Sequence, residues 1–167
     1  DHFTDATNKK ISPRRMLDRE FVNRFLAFFA LGWEAYQELD SFLDEALKCI
    51  AKKTQAERDE IRDVFYDSLD AIRAQFKRYA FCKLDAYPKA KPINRVLFEV
   101  LTVSVARLSA ERRERFKNNV NAFDSYRELF GANRPLTELV STSTADKNRI
   151  RQRYEILERY LNEMTEG

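Results

Sequence analysis

The chain has 167 residues, 34% of them charged and 44% hydrophobic, with a formal net charge of +3 and only 3 Gly and 4 Pro. That length suits one domain, or one domain with a tail, with a real core, and the scarcity of turn formers suits a helical protein much better than a sandwich or a barrel. The mildly basic balance permits a nucleic-acid partner without demanding one.

Residues 1–11 are polar and aperiodic, an arm or the remnant of an upstream linker, and residues 12–167 read as one helical domain. Ser12-Pro13 supplies an N-cap and a first-turn proline, and the helix that follows places Leu17, Phe21, Phe25 and Phe28 on one face. Val22, Leu26 and Phe29 flank that face, and Gly32 ends the helix. Asp40 or Ser41 opens a second helix with Phe42, Leu43, Ala46, Leu47 and Ile50 as its buried stripe. Thr54 and Glu57 have the spacing of a capping box, so a third helix starts there and runs to about Phe81.

Lys83 to Pro92, with two prolines and three lysines, is the clearest surface loop. The next stretch, Pro92 to Leu108, is apolar around most of a helical circumference, through Val96, Leu97, Phe98, Val100, Leu101, Val103 and Val105. Such a helix needs partners on several sides, which makes it the central post of an all-α bundle. Ser109 caps a further helix, with Phe116, Val120, Phe123, Tyr126 or Arg127, Leu129 and Phe130 inward and Gly131 as its stop. After a turn at Asn133-Arg134-Pro135 comes a short helical piece at Leu136 to Val140, and Ser141 to Thr144 leads into the last helix. There Ile150, Tyr154, Leu157, Leu161 and Met164 repeat at near-heptad spacing. The expected architecture is a single-domain bundle of about seven helices around a central buried one.

Cys49 and Cys82 form no CxxC pair and fall within predicted helices, which fits reduced, packed thiols in a cytoplasmic protein. The most apolar run, Phe25 to Trp33, is shorter than the roughly 20 residues a membrane span takes, so no membrane partner is expected.

Chemistry has few places to reside. The lone histidine, His2, rules out HExxH, Cys/His zinc sites and a Ser-His-Asp set built on a second one, and no metal site or cofactor is expected. Three glycines cannot build a phosphate-cradling loop. The carboxylate pairs Asp63/Asp67 and Asp40/Asp44 lie at i,i+4, the spacing of solvated helix faces. Arg24 and Glu99 differ, each being a charge within an apolar helix, and they read as a structural ion pair, with Arg95 as a local partner for Glu99. The stretch from Ser141 to Arg153 gathers hydroxyls at a helix start with Lys147, Arg149, Arg151 and Arg153 behind them, a pattern able to grip phosphates, although Asp146 opposes an anion. The run through Arg112, Arg113, Arg115 and Lys117 is diluted by Glu111 and Glu114 and reads as a solvated face.

Three stretches resemble one bacterial family in the family's order. They are RRMLDREFVNRFLAFF (Arg14 to Phe29), FKRYAFCKLDAYPKAKPINRVLFEVL (Phe76 to Leu101) and STSTADKNRIRQRYEILERYL (Ser141 to Leu161). The family is that of GmrSD-type modification-dependent restriction systems and related phage-defence proteins. Its catalytic module is ParB/sulfiredoxin-like and carries a D-G-Q-Q-R motif implicated in nucleotide hydrolysis and nuclease action. This chain has no D-G-Q-Q-R and no histidine-based nuclease motif, so no catalytic residue carries over. The resemblance implies a helical accessory domain that would buttress such a module, contribute to a nucleic-acid channel or mediate assembly, and the cations Arg14, Arg15, Lys147, Arg149, Arg151 and Arg153 are where DNA contact is to be sought. Its expected partners are its own N-terminal nuclease module, DNA and a second copy of the chain. The alternative is a free-standing helical protein–protein interaction module with no nucleic-acid role.

Overall fold

The structure, a computed structural model, describes Thr7 and residues 17–89, 91–131 and 135–166, with every side chain among them but that of Leu17. The expected start at Ser12-Pro13, the cations Arg14 and Arg15, His2 and the Asn133-Arg134 turn lie outside the described residues. Among those described, eight α-helices and two short 3-10 turns are present. The helices are α1 (Leu17–Leu31), α2 (Leu39–Ala51), α3 (Gln55–Phe76), α4 (Arg95–Ala106), α5 (Ala110–Asn118), α6 (Ala122–Glu128), α7 (Leu136–Leu139) and α8 (Lys147–Thr165). The fold is an all-α single domain, and no helix among the described residues is long and apolar enough to cross a membrane.

Helix ends follow local chemistry. Gly32 ends α1 at φ +82°, a conformation that costs glycine no Cβ clash. Glu38, rather than Asp40 or Ser41, opens α2, its carboxylate accepting the Asp40 and Ser41 N–H groups at 3.0 Å each. Thr54 and Glu57 make the reciprocal capping box at α3. Asn94 caps α4, accepting from Val96 N at 3.0 Å and Leu97 N at 2.9 Å. Its amide also donates to the Val140 carbonyl at 2.9 Å, fastening the start of α4 to the end of α7.

Every residue of α4 from Val96 to Ala106 is buried, with α1, α3 and α8 packed on it. Its apolar circumference requires that enclosure, and each fully buried Val, Leu or Phe contributes about 1.5–3 kcal/mol. Phe21, Phe25 and Phe28 are buried on α1, while Val22, Leu26 and Phe29 are half-buried. Rings of α1 and α3 close over Phe98, which Phe21 meets edge-on at 4.9 Å between centroids.

Several expected features differ. Helix α3 ends at Phe76, because Lys77 adopts φ +48° and a 3-10 turn, Lys77–Tyr79, follows. Cys82 is therefore not helical. It lies buried in an extended stretch paired with Ile93, and its thiol donates to the Lys91 carbonyl at 3.0 Å. Leu47 is 44% exposed and leaves the α2 stripe to Phe42 and Ala46. The helix expected to run on from Ser109 breaks at Asn119, and Val120 is 90% exposed instead of facing inward. The Asn-Asn-Val-Asn sequence explains the break, since asparagine side chains compete for backbone groups and favour caps and turns.

Candidate functional site

The most unusual chemistry lies inside the bundle. Arg24 projects from α1 toward α4, where its Nη2 meets Glu99 Oε2 at 2.5 Å. Arg153 of α8 approaches from the other side, its Nη2 on Glu99 Oε1 at 3.0 Å and its Nη1 donating to the Thr144 carbonyl at 2.8 Å. Glu99 and Arg153 are fully buried and Arg24 nearly so. One carboxylate thus holds two guanidinium groups, which leaves one unit of positive charge in excess within the cluster. Two tyrosines border it. Burial pushes the Tyr154 hydroxyl well above its ordinary value, with the negative charge of Glu99 adding to the effect. Burial also raises Tyr36, against the opposing influence of Arg24.

The local partner expected for Glu99 is not used. Arg95 faces solvent and pairs with Glu20 of α1 at 2.7 Å. Its place is taken by Arg153, and burial removes Arg153 from the set of cations expected to meet DNA.

The rest of the basic stretch is largely engaged. Asp146 caps α8, its carboxylate accepting from Arg149 N at 3.0 Å, so the helix start already holds an anion of its own. Arg149 is half-buried and donates to Glu138 Oε1 at 3.2 Å and to Thr142 Oγ1 at 3.0 Å. Arg151 is exposed with Glu155 at 3.7 Å, and Lys147 is exposed one turn before it. Lys147 and Arg151 therefore remain as the solvent-facing cations of the stretch. Sequence spacing held a signal for Arg153, which stands three residues after Ile150 and four before Leu157 and so shares their apolar stripe.

The Arg112–Lys117 run is less solvated than its composition suggests. Arg112 donates to Thr165 Oγ1 and Asn162 Oδ1, and Arg113 donates to the Ala106 and Leu108 carbonyls at 3.1 and 2.5 Å. These arginines tie off the ends of α4 and α8. The carboxylates Asp40, Asp44, Asp63 and Asp67 are all exposed. Among the described residues no group of three or more His, Cys, Asp or Glu side chains could hold a metal ion.

Two of the open grooves on the surface are floored by phenylalanines. One, of about 510 Å³, lies between α1 and α3 over Val22, Phe25, Leu26, Ile61 and Phe65, with Arg19 and Arg58 on its rim. The other, of about 650 Å³, lies where α3 meets the α5–α6 break, over Phe76, Tyr79 and Phe123. Neither contains Arg24, Glu99 or Arg153 in its lining. Comparison with family models, curated proteins and solved structures finds no match to this chain.

Proposed function

We propose that this chain is a helical accessory domain of a DGQQR-type modification-dependent restriction or phage-defence protein, supporting a catalytic module through its rigid core. The observation that supports this reading is where the three resembling stretches meet. Arg24 belongs to the first, Glu99 to the second and Arg153 to the third, and the three side chains form one buried cluster. The second and third stretches also touch where Lys83 Nζ meets Ser141 Oγ at 3.2 Å. An enclosed ion cluster suits a scaffolding role, since it faces other helices and lines neither of the grooves.

The test is the coding sequence upstream of Asp1. An in-frame D-G-Q-Q-R module supports the proposal, and an unrelated upstream frame or intergenic DNA removes it. For DNA contact through α8, neutralising Lys147, Arg149 and Arg151 together should weaken binding and flatten its salt dependence. Unchanged affinity in that triple variant takes α8 out of the contact.

The groove over Val22, Leu26 and Phe65 favours a second reading as a protein–protein interaction module, since an apolar concavity of that kind can seat a partner's side chains. Under that reading, Leu26→Arg lowers partner recovery while oligonucleotide binding stays at the background level of the unmodified chain.

A further inference from the structure

Leu47 is 44% exposed on α2, a large hydrophobic side chain turned to solvent. At about 100° per residue, Leu43, Leu47 and Ile50 share an arc of about 60°, with Leu47 on the side away from the buried Phe42 and Ala46. Ile50, three residues after Leu47, lines the α1–α3 groove together with the half-buried Val22, Leu26 and Ile61. An exposed apolar knob and an open apolar groove therefore adjoin on one face of the bundle.

The charges of that face divide in the same way. The groove lining holds Arg19, Arg58 and Arg62 against one carboxylate, Asp18. Arg62 is taken up by Asp59 at 2.7 Å and Asp63 at 3.0 Å. Arg19 and Arg58 are exposed and, among the described residues, in no ion pair, Arg58 donating to the neutral Gln55 Oε1 at 3.3 Å. On the knob side, Asp40 and Asp44 lie about 20° and 60° around α2 from Leu47, on its outer edge. Both are exposed and in no ion pair among the described residues.

We infer that this face is a reciprocal contact between two copies of the chain, Leu47 of each copy entering the α1–α3 groove of the other. Asp40 and Asp44 of each then meet Arg19 and Arg58 of the other. The argument is self-complementarity. A two-fold axis brings the same patch of both copies together, so a patch carrying knob and groove, acids and unclaimed arginines, answers itself twice over. A partner offering only a side chain for the groove would leave Leu47 and the two aspartates unanswered. The inference rests on the reading of the groove as a protein–protein interaction surface and names its occupant.

The test is sedimentation velocity of the 167-residue chain between about 1 µM and 1 mM, the range of a modest interface. The wild type should pass from monomer to dimer and stop there. Leu47→Lys, on an exposed position, should raise the dissociation constant about tenfold or more. Two charge-reversed variants supply the decisive arm. Asp40→Lys/Asp44→Lys makes the whole patch basic, and Arg19→Glu/Arg58→Glu makes it acidic, so each alone should lose the dimer through like-charge repulsion. Mixed together, they should form a heterodimer in which both halves attract. Thermal midpoints near the wild-type value show that each variant keeps its fold. A wild type that stays monomeric throughout overturns the inference, as does a Leu47→Lys chain that dimerises like the wild type or a mixture that associates no better than its components. Growth past the dimer marks a head-to-tail contact and overturns the reciprocal one. If the chain is monomeric and Leu26→Arg still loses a bound protein, the groove serves another partner, and the second copy is excluded while the interaction reading stands.

Discussion

Arg153 of α8 and Glu99 of α4, 54 positions apart in sequence, meet at 3.0 Å with both side chains fully buried. With Arg24 on the other carboxylate oxygen, the contact fixes the rotation and height of α1 and α8 against the helix they enclose. Three charged groups taken out of water must regain their partners, so neighbouring registers are penalised.

Removing the shared anion should be the most damaging single change. Glu99→Ala leaves two buried guanidinium groups facing each other without a counter-charge and should cost about 3–5 kcal/mol. Glu60→Ala, on the solvent side of α3, should stay within about 0.5 kcal/mol. Urea unfolding of both variants decides the matter, and equal midpoints would deny the cluster its structural role.

The two carboxylate caps give the stability a pH dependence of known sign. The Glu38 carboxylate accepts the Asp40 and Ser41 N–H groups, and Glu57 accepts Thr54 N at 2.8 Å, so backbone hydrogen bonds hold both below their ordinary 4.5. A carboxylate whose folded value is depressed stabilises the native state above its unfolded value, and that gain disappears as pH falls through the folded one. Thermal midpoints should therefore drop as pH is lowered from about 5 through 4.5 and below. In Glu38→Gln/Glu57→Gln the drop should be shallower, and a superimposable pH profile would count against the caps.

Much of this architecture is legible before any coordinates, and the reasons differ by residue. Glu99 and Arg24 stand out because a charge inside an apolar helix must find a partner. The Thr54 box and the Gly32 stop are local chemistry that operates within one turn of chain. Arg153 is harder to see, since its neighbours Arg151 and Gln152 are exposed and composition suggests a solvated basic face. Only its register against Ile150 and Leu157 betrays it. Val120 shows the opposite case, where a periodic apolar residue reads as core although three asparagines around it break the helix. The Tyr79, Tyr87 and Phe123 rings, from the turn after α3, the basic loop and α6, meet in a juxtaposition that follows from tertiary packing and carries no local signature.

Gly32 allows a sharp test of the α1 stop. At φ +82° an added Cβ would lie 2.7 Å from Glu34 Oε2. That oxygen ends a flexible side chain and can turn away, so the backbone conformation dominates. Gly32→Ala should cost about 1–3 kcal/mol, the penalty of a positive-φ, extended-ψ conformation that residues with a Cβ scarcely adopt. Adding Glu34→Ala should recover little of the loss, and full recovery in the double variant would assign the cost to the clash instead.

Gln75 of α3 reaches across to the broken end of α5, where its Nε2 lies 2.6 Å from the Phe116 carbonyl, 2.8 Å from that of Lys117 and 3.0 Å from that of Asn119. The Phe116 carbonyl also accepts the Asn119 N–H at 3.2 Å and the Asn119 carbonyl the Ala122 N–H at 3.3 Å, so the two amide hydrogens of Gln75 add to the donors that meet this cluster of acceptors at the helix end. Gln75→Met removes the donor and should cost about 1–2 kcal/mol, with faster hydrogen exchange around Asn119 to Ala122 as its local signature. Gln75→Glu should be worse at neutral pH, because a carboxylate brings only acceptors to a cluster of acceptors. Lowering the pH should protonate that carboxyl, restore one donor and bring Gln75→Glu back toward the methionine variant. If the gap between the two variants stays constant between pH 7 and about 4, the glutamine is not serving as the donor that closes α5.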